Sequence, residues 1–246
     1  MTWLAVVLLG IGMCDAIAAG LGGEPRSTIR IAIGAVAGGV ASLLAALLVG
    51  LELPPALAAA GLVAAGSAGW NLLRLPASPS AVLPSSRAWA ALAVLGASLM
   101  LTLVLGAVWA AASADSPGLV VIGSVAALAV PANGVVRTVL AASGTEFRRS
   151  EQTLRGGRVI GVVERLLIFT LALAGQLTAA VVVATAKGIL RFPELQAARE
   201  RAIEVVGEGR HAADGPSQVD IITEYFLVGS LTSWLLAVVL GLAASS

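Results

Sequence analysis

Seven long apolar runs constrain the fold of this chain more than any other feature of its sequence. They cover residues 2–21, 29–51, 56–73, 88–113, 118–142, 159–186 and 221–243. About 20 apolar residues let an α-helix cross the hydrocarbon core of a bilayer. Hydrophobic residues make up 58% of the chain and charged residues only 12%, which is too few to cover a water-soluble core. The sequence therefore predicts an all-α, polytopic transmembrane helix bundle of six or seven spans, forming one membrane domain over residues 1–246.

The charge balance and the scarcity of metal-binding side chains narrow the range of functions. The formal net charge of +1 provides no overall field that would attract nucleic acid. The single cysteine, Cys14, and the single histidine, His211, cannot form the usual zinc site of His and Cys ligands. A carboxylate-bound Mg²⁺ or Ca²⁺ stays compatible with the composition. We therefore expect no nucleic-acid partner, and we assign no metal site and no cofactor.

Small residues at helical spacing predict close packing between some of these helices. Gly34 and Gly38 form a GxxxG pair, and Gly61, Ala65 and Gly69 form a longer stripe of the same kind. Such stripes let two helix backbones approach each other closely. A chain with 28 glycines also produces such pairs by chance, so both explanations stay open.

Arginine and lysine residues near the helix ends predict the orientation in the membrane, because they favour the cytoplasmic side. The loops after the first, third and fifth runs, with their flanks, contain Arg26, Arg30, Arg74, Arg87, Arg137, Arg148, Arg149, Arg155 and Arg158. The loops after the second and fourth runs contain no Lys or Arg. This alternation predicts an external N-terminus and three cytoplasmic loops. The basic loop 187–220 breaks the pattern, because it would lie outside if the sixth run crosses the membrane.

The sixth run has two interpretations. We favour a complete span, because residues 166–186 are an uncharged stretch of sufficient length. Arg165, Gln176 and Lys187 would then share one helix face. They would form a polar track through the bundle, a site for an anionic headgroup, or two interfacial cations with a hydrogen-bonded amide between them. Alternatively, Gly175-Gln176 breaks a re-entrant hairpin, which would bring both basic loops to the cytoplasmic side.

Charged side chains inside or beside the apolar runs are the candidate functional residues. Asp15 lies inside the first run, where an acid is costly and indicates either a function or a hydrated or arginine-paired position at the interface. Glu164 and Arg165 are adjacent, and their side chains diverge by about 100° around a helix, so each needs its own partner. The candidate polar cluster consists of Glu164, Arg165, Gln176, Lys187, Arg191 and Glu224.

A charged loop, residues 187–220, precedes the last apolar run. It contains a predicted amphipathic helix over residues 193–206, which we expect to rest on the membrane surface. Glu224 opens the last run just after this loop. We expect Glu224 to pair with Lys187 or Arg191, which flank the same loop, or to stay hydrated at the interface.

Three motifs in the C-terminal part carry a resemblance to a known family. They are GRVIGVVER at residues 157–165, Lys187 followed by Arg191-Phe192, and EYFLVGSL at residues 224–231. Together they resemble the C-terminal signature of a bacterial multi-pass membrane protein family of unknown function, GRxIGxxER, then K, RF and EYFLxG(S/T)L.

The resemblance implies a location and a set of residues but no activity. It implies a multi-pass protein of the bacterial inner (cytoplasmic) membrane. The chain departs from the family by a longer insert before residue 224 and by Met13-Cys14, where the family has a histidine before the acid of the first helix. The polar residues that the resemblance marks as recurring are Glu164, Arg165, Lys187, Arg191 and Glu224.

Three functions stay open for the chain. We rank a membrane scaffold or accessory subunit first, because packing residues are abundant and catalytic patterns are scarce. A transporter or channel for a small solute or ion is one alternative, with Asp15, Gln176 and Glu224 along its path. An enzyme acting on lipid headgroups is the other, but we do not favour an enzyme, because the chain contains no GxSxG, HExxH or Walker pattern. The expected partners are the lipid bilayer and a membrane or cytoplasmic protein, and a homo-oligomer stays open.

Overall fold

The computed structural model describes residues 2–19, 27–75, 83–109, 116–143, 155–189 and 218–245. These ranges are helical between short turns and contain no β-strand. The helices are α1 (Thr2–Ala19), α2 (Thr28–Leu48), α3 (Leu53–Leu73), α4 (Ser85–Trp109), α5 (Pro117–Ala129), α6 (Pro131–Ala142), α7 (Arg155–Leu173), α8 (Leu177–Ile189) and α9 (Gln218–Ser245). The all-α prediction is therefore confirmed.

The length and composition of the helices indicate a multi-pass membrane protein. Five are long and apolar enough to cross a bilayer, namely α1, α2, α3, residues 85–108 of α4 and residues 226–245 of α9. Helices α5 and α6 pass the same test only as a pair, bent by 46° at their junction. The predicted helix bundle is thus confirmed, and the described ranges contain five such spans or, with the bent pair, six.

Helix α1 packs against α2, α3 and α5 and forms the centre of the N-terminal half of the bundle. Glycines permit the closest approaches. A Cβ atom on Gly38 would lie 2.5 Å from the carbonyl oxygen of Gly10, and one on Gly34 would lie 2.7 Å from that of Cys14. Gly123 of α5 lies equally close to the α1 backbone. The GxxxG pair of α2 is therefore a packing surface, and α1 is its partner.

Helix α7 ends at a glycine turn in the middle of the sixth apolar run. Gly175 adopts a φ of +73° and donates to the carbonyl oxygen of Ala172 at 3.0 Å, while Gln176 donates to that of Leu171 at 2.8 Å. These two bonds and the left-handed glycine form a Schellman motif, which terminates a helix. The backbone therefore leaves the direction of α7 at Gly175.

Contacts between α7 and α8 show that the chain reverses at this turn. The Nζ atom of Lys187 meets Oε2 of Glu164, although the two residues would lie about 34 Å apart on one straight helix. Ala180 of α8 packs into an apolar cluster that it shares with residues of α5, α6, α7 and α9. The favoured prediction of one complete span over residues 159–186 is therefore wrong, and the structure has the hairpin alternative.

Helices α7 and α9 run in the same direction, and this determines on which side of the bundle the C-terminal helices begin and end. Trp234 of α9 lies beside Glu164 of α7, and Gly241, further along α9, lies beside Ala172, further along α7. Both helices therefore begin on the same side of the bundle, and α8 points back toward that side. The basic loops before and after the hairpin then join helix ends on one side, which removes the conflict in the predicted orientation.

Candidate functional site

Asp15, the acid inside the first apolar run, is buried between α1 and α3. The Nδ2 atom of Asn71 donates to Oδ1 of Asp15 at 2.9 Å, and Nη1 of Arg74 lies 3.8 Å from the same oxygen. The exposed fractions of the Asp15 and Arg74 side chains are only 2% and 6%. Arg74 also stacks over the ring of Trp70, 4.3 Å from its centroid. The predicted pairing of Asp15 with an arginine is thus observed, and it lies in the protein interior.

The end of α3 supplies both partners of Asp15 through helical spacing. Residues three apart lie on the same face of a helix, so Asn71 and Arg74 both reach α1. The sequence pattern marks Arg74 only as an orientation signal and does not single out Asn71. The signal that could have found them is an amide and a guanidinium three residues apart, opposite an acid in another apolar run.

Glu164 is the acid of a second polar group, formed by α7, α8 and α9. Its Oε2 atom meets Nζ of Lys187, and its Oε1 accepts a 2.7 Å hydrogen bond from Nε1 of Trp234. Both carboxylate oxygens are therefore engaged. The predicted pair of Glu224 with Lys187 is wrong, because the hairpin brings Lys187 back along α7 to Glu164.

Arg165 lies at the interface between α7 and α6. Its Nη2 atom donates to Oδ1 of Asn133, and its side chain is only 2% exposed. Its Nε atom is buried and finds no hydrogen-bond acceptor within the described ranges. The adjacent residues Glu164 and Arg165 thus have separate partners, as their divergence around α7 requires. No sequence signal distinguishes Asn133, which stands in an apolar run after Pro131-Ala132.

The two polar groups meet at the first turn of α6. Arg165 binds Asn133, and the guanidinium of Arg74 lies against the next residue, Gly134. A Cβ atom on Gly134 would lie 2.6 Å from Nη2 of Arg74, so glycine leaves the room for this contact. We define the ionic centre as Asp15, Arg74, Glu164, Arg165 and Lys187.

The ionic centre holds one more positive charge than negative charges. Its two acids are each paired with a cation of the centre. Arg165, in contrast, binds the neutral side chain of Asn133 and carries the surplus. Charges interact strongly in an interior of low dielectric constant, so an anion beside Arg165 would be stabilised by this surplus. Transient opening of either ion pair would also expose a carboxylate to a proton or a cation.

The remaining predicted residues lie outside the ionic centre. Gln176 is exposed in the turn between α7 and α8, so the predicted track of Arg165, Gln176 and Lys187 along one helix face is wrong. Glu224 is exposed near the start of α9. Arg191 and the predicted surface helix lie outside the described residues. In the part of the chain that the structure describes, no three His, Cys, Asp or Glu side chains are placed to hold a metal ion.

Comparison with known proteins gives no relative from which a function could be taken. Neither a family model, nor a curated protein, nor a solved structure matches the chain. The family resemblance of the C-terminal motifs therefore stays a prediction. The function has to be inferred from the buried charges and from the helix breaks around them.

Proposed function

We propose that the ionic centre lines a path along which a small solute or ion crosses the membrane, so that the chain works as a transporter or channel. The observation that carries this proposal is the position of the centre. Its ion pairs, Asp15 with Arg74 and Glu164 with Lys187, and the buried Arg165 lie at helix contacts of the bundle, beside two interrupted helices. This interior position favours transport over the scaffold function that the sequence ranks first.

The first support for a transport function is the cost of burying charges. A charged residue at the centre of a membrane-spanning helix costs about 2.5–3.5 kcal/mol even on lenient insertion scales, and Asp15 lies four residues from the end of α1. Pairing offsets part of this cost, yet replacing a buried ion pair by apolar side chains is often neutral or stabilising. The pairs of Asp15 with Arg74 and of Glu164 with Lys187 therefore need not stabilise the fold more than apolar side chains would.

The second support is the interruption of helices next to the centre. Helices α5 and α6 meet at a 46° bend at Val130, shortly before Asn133. Helices α7 and α8 form a hairpin whose arms carry Arg165 and Lys187. Inside a membrane, broken helices occur where protein encloses them or where they line a solvent-filled cavity. Transporters place their binding sites at such half-helix ends.

The two ion pairs differ in how far they lie from the surface of the bundle. The side chains of Glu164 and Lys187 are 10% and 26% exposed, whereas Asp15 and Arg74 are almost completely buried. On the proposed path, a solute would therefore reach the pair on the hairpin before the pair between α1 and α3.

Flux measurements in liposomes test the transport function. Fluxes of protons, potassium, chloride, phosphate and acetate are compared between vesicles with and without the purified protein. We expect a flux of at least one of these ions and its loss in Arg165→Gln. Glu224→Gln is the matched control and should keep the flux, because Glu224 is an exposed charge outside the centre.

Two outcomes would overturn the transport function. One is a flux no greater than that of protein-free vesicles for all five ions, with a wild-type protein that is monodisperse by size exclusion. The other is a flux that a folded Arg165→Gln variant leaves unchanged, because the path would then bypass the ionic centre.

We also propose that the chain belongs to the bacterial multi-pass family that its C-terminal motifs resemble. The support is that Glu164, Arg165 and Lys187, which the resemblance marks as recurring, also meet in the ionic centre. Membership implies residence in the bacterial inner membrane. Fractionation of a bacterial host on a density gradient tests this, since recovery in the outer-membrane fraction would contradict it.

A further inference from the structure

Arg165 is the least neutralised side chain of the ionic centre. Its neighbour Glu164 directs one carboxylate oxygen to Trp234 and the other to Lys187. The acceptor that Arg165 itself binds, Asn133, carries no charge. Its Nε atom is buried without an acceptor in the described part of the chain. The guanidinium therefore has a donor left for a further acceptor.

The first turn of α6 adds a second positive feature beside Arg165. Val130, the N-cap of α6, makes no side-chain hydrogen bond to the turn, and Pro131 opens the helix. Pro131 has no N–H and Val130 donates to the carbonyl oxygen of Ala126, so the N–H groups of Ala132 and Asn133 are the donors of this turn that lack an intrahelical acceptor. Asn133, which binds Arg165, belongs to this same turn. The unused donor of Arg165 thus lies next to a helix end that no N-cap side chain occupies.

Arg74 brings a third positive group to the same turn. Its guanidinium lies against Gly134, where a Cβ atom would be 2.6 Å from Nη2 and 2.8 Å from Nη1. The same guanidinium lies 3.8 Å from Oδ1 of Asp15, which offsets part of its charge. Two guanidinium groups and the first turn of α6 therefore lie together at residues 131–134, where Asp15 offsets part of the charge of Arg74 and no acid is paired with Arg165 in the described part of the chain.

We infer that the first turn of α6, between Arg74 and Arg165, is a binding site for a small oxyanion, a carboxylate or a phosphate group. Guanidinium groups and helix N-termini are the groups that bind such anions in proteins. A bound oxyanion neutralises the surplus charge of the centre and supplies the acceptor that Nε of Arg165 lacks. The binding site itself is independent of the proposed transport function. The statement that the bound anion is the transported solute rests on that function.

Two sources share this chemistry. One is a free anion from the aqueous phase, and the other is the phosphate of an anionic lipid headgroup. The experiment therefore has one arm for each source.

Titration calorimetry of delipidated protein in a neutral detergent tests for the free anion, with sodium phosphate, sodium acetate and sodium chloride as probes. We expect saturable binding of phosphate or acetate, tighter than that of chloride and at least tenfold weaker in Arg165→Gln. Glu224→Gln should bind like the wild type. Gly134→Ala is a second variant in case Arg165→Gln does not fold. Its Cβ displaces the guanidinium of Arg74 from the turn, so binding should weaken here too.

Native mass spectrometry tests for the lipid. Protein released from vesicles of phosphatidylglycerol and phosphatidylethanolamine should retain phosphatidylglycerol if a headgroup occupies the site, and Arg165→Gln should lose it.

The site is overturned if phosphate, acetate and phosphatidylglycerol all fail to bind. It is also overturned if neither Arg165→Gln nor Gly134→Ala weakens binding. If the protein binds an anion but gives no flux in liposomes, the transport function is refuted and the binding site is retained. If it gives flux but binds no anion, the binding site is refuted and the transport function is retained.

Discussion

The contact between Glu164 and Lys187 makes the hairpin testable by a double-mutant cycle. The two side chains are 10% and 26% exposed, so the pair is partly buried. Losing one partner costs about 3–5 kcal/mol for a fully buried pair, whereas exposed pairs contribute about 0.2–1 kcal/mol. We therefore expect a loss of about 2 kcal/mol for Glu164→Gln and for Lys187→Met. In a chain of this size that loss lowers the unfolding temperature by about 4–8 °C.

The double variant removes both charges and leaves neither of them stranded. We expect its loss to be smaller than the sum of the single losses, with a coupling of about 1–2 kcal/mol. Thermal unfolding followed by size exclusion in one detergent measures all four proteins. Glu224→Gln combined with Lys187→Met is the control and should be additive, because Glu224 does not contact Lys187. Additive losses for Glu164 and Lys187 would refute the hairpin, because a straight helix would hold them about 34 Å apart.

Two further predictions concern the threading of the chain and the packing of α1. On a Cys14→Ser background, cysteines at Glu52 and Glu224 should be labelled from opposite sides of the membrane, because the hairpin puts the start of α9 opposite the start of α3. Labelling from one side would mean that α7 and α8 form a single span. Gly38→Ala should cost about 1–3 kcal/mol in thermal unfolding, since its Cβ would lie 2.5 Å from an α1 carbonyl oxygen. Gly61→Ala is its control, because a Cβ there meets nothing within 4 Å, and it should be neutral or stabilising.

The membrane-helix class of this protein follows from the sequence alone, because the length and apolarity of a run are local properties. The two small-residue stripes show the limit of a local pattern, because Gly34 and Gly38 pack closely on α1, whereas a Cβ at Gly61 would meet nothing within 4 Å. The separate partners of Glu164 and Arg165 follow from the angle between adjacent residues on any helix. For the helix class and for these separate partners, one segment contains all the information that the prediction needs.

The partners of the buried charges depend on the packing of distant helices. Asp15 binds Asn71 across 56 positions of the chain, and Arg165 binds Asn133 across 32. Nothing local marks the two amides, because each stands in an apolar segment that is compatible with many neighbours. Only the arrangement of α1, α3, α6 and α7 brings these side chains together.

The direction of the backbone between α7 and α8 is likewise not determined by the local sequence. The run 166–186 is long enough for one span, and Gly175 can continue a helix as well as end one. Glycine adopts a positive φ at little cost, so its conformation is chosen by the contacts on either side of it. Here those contacts are the apolar packing of α8 in the bundle and the pair of Lys187 with Glu164. They exist only in the folded bundle, and therefore only the tertiary structure decides that the chain turns back.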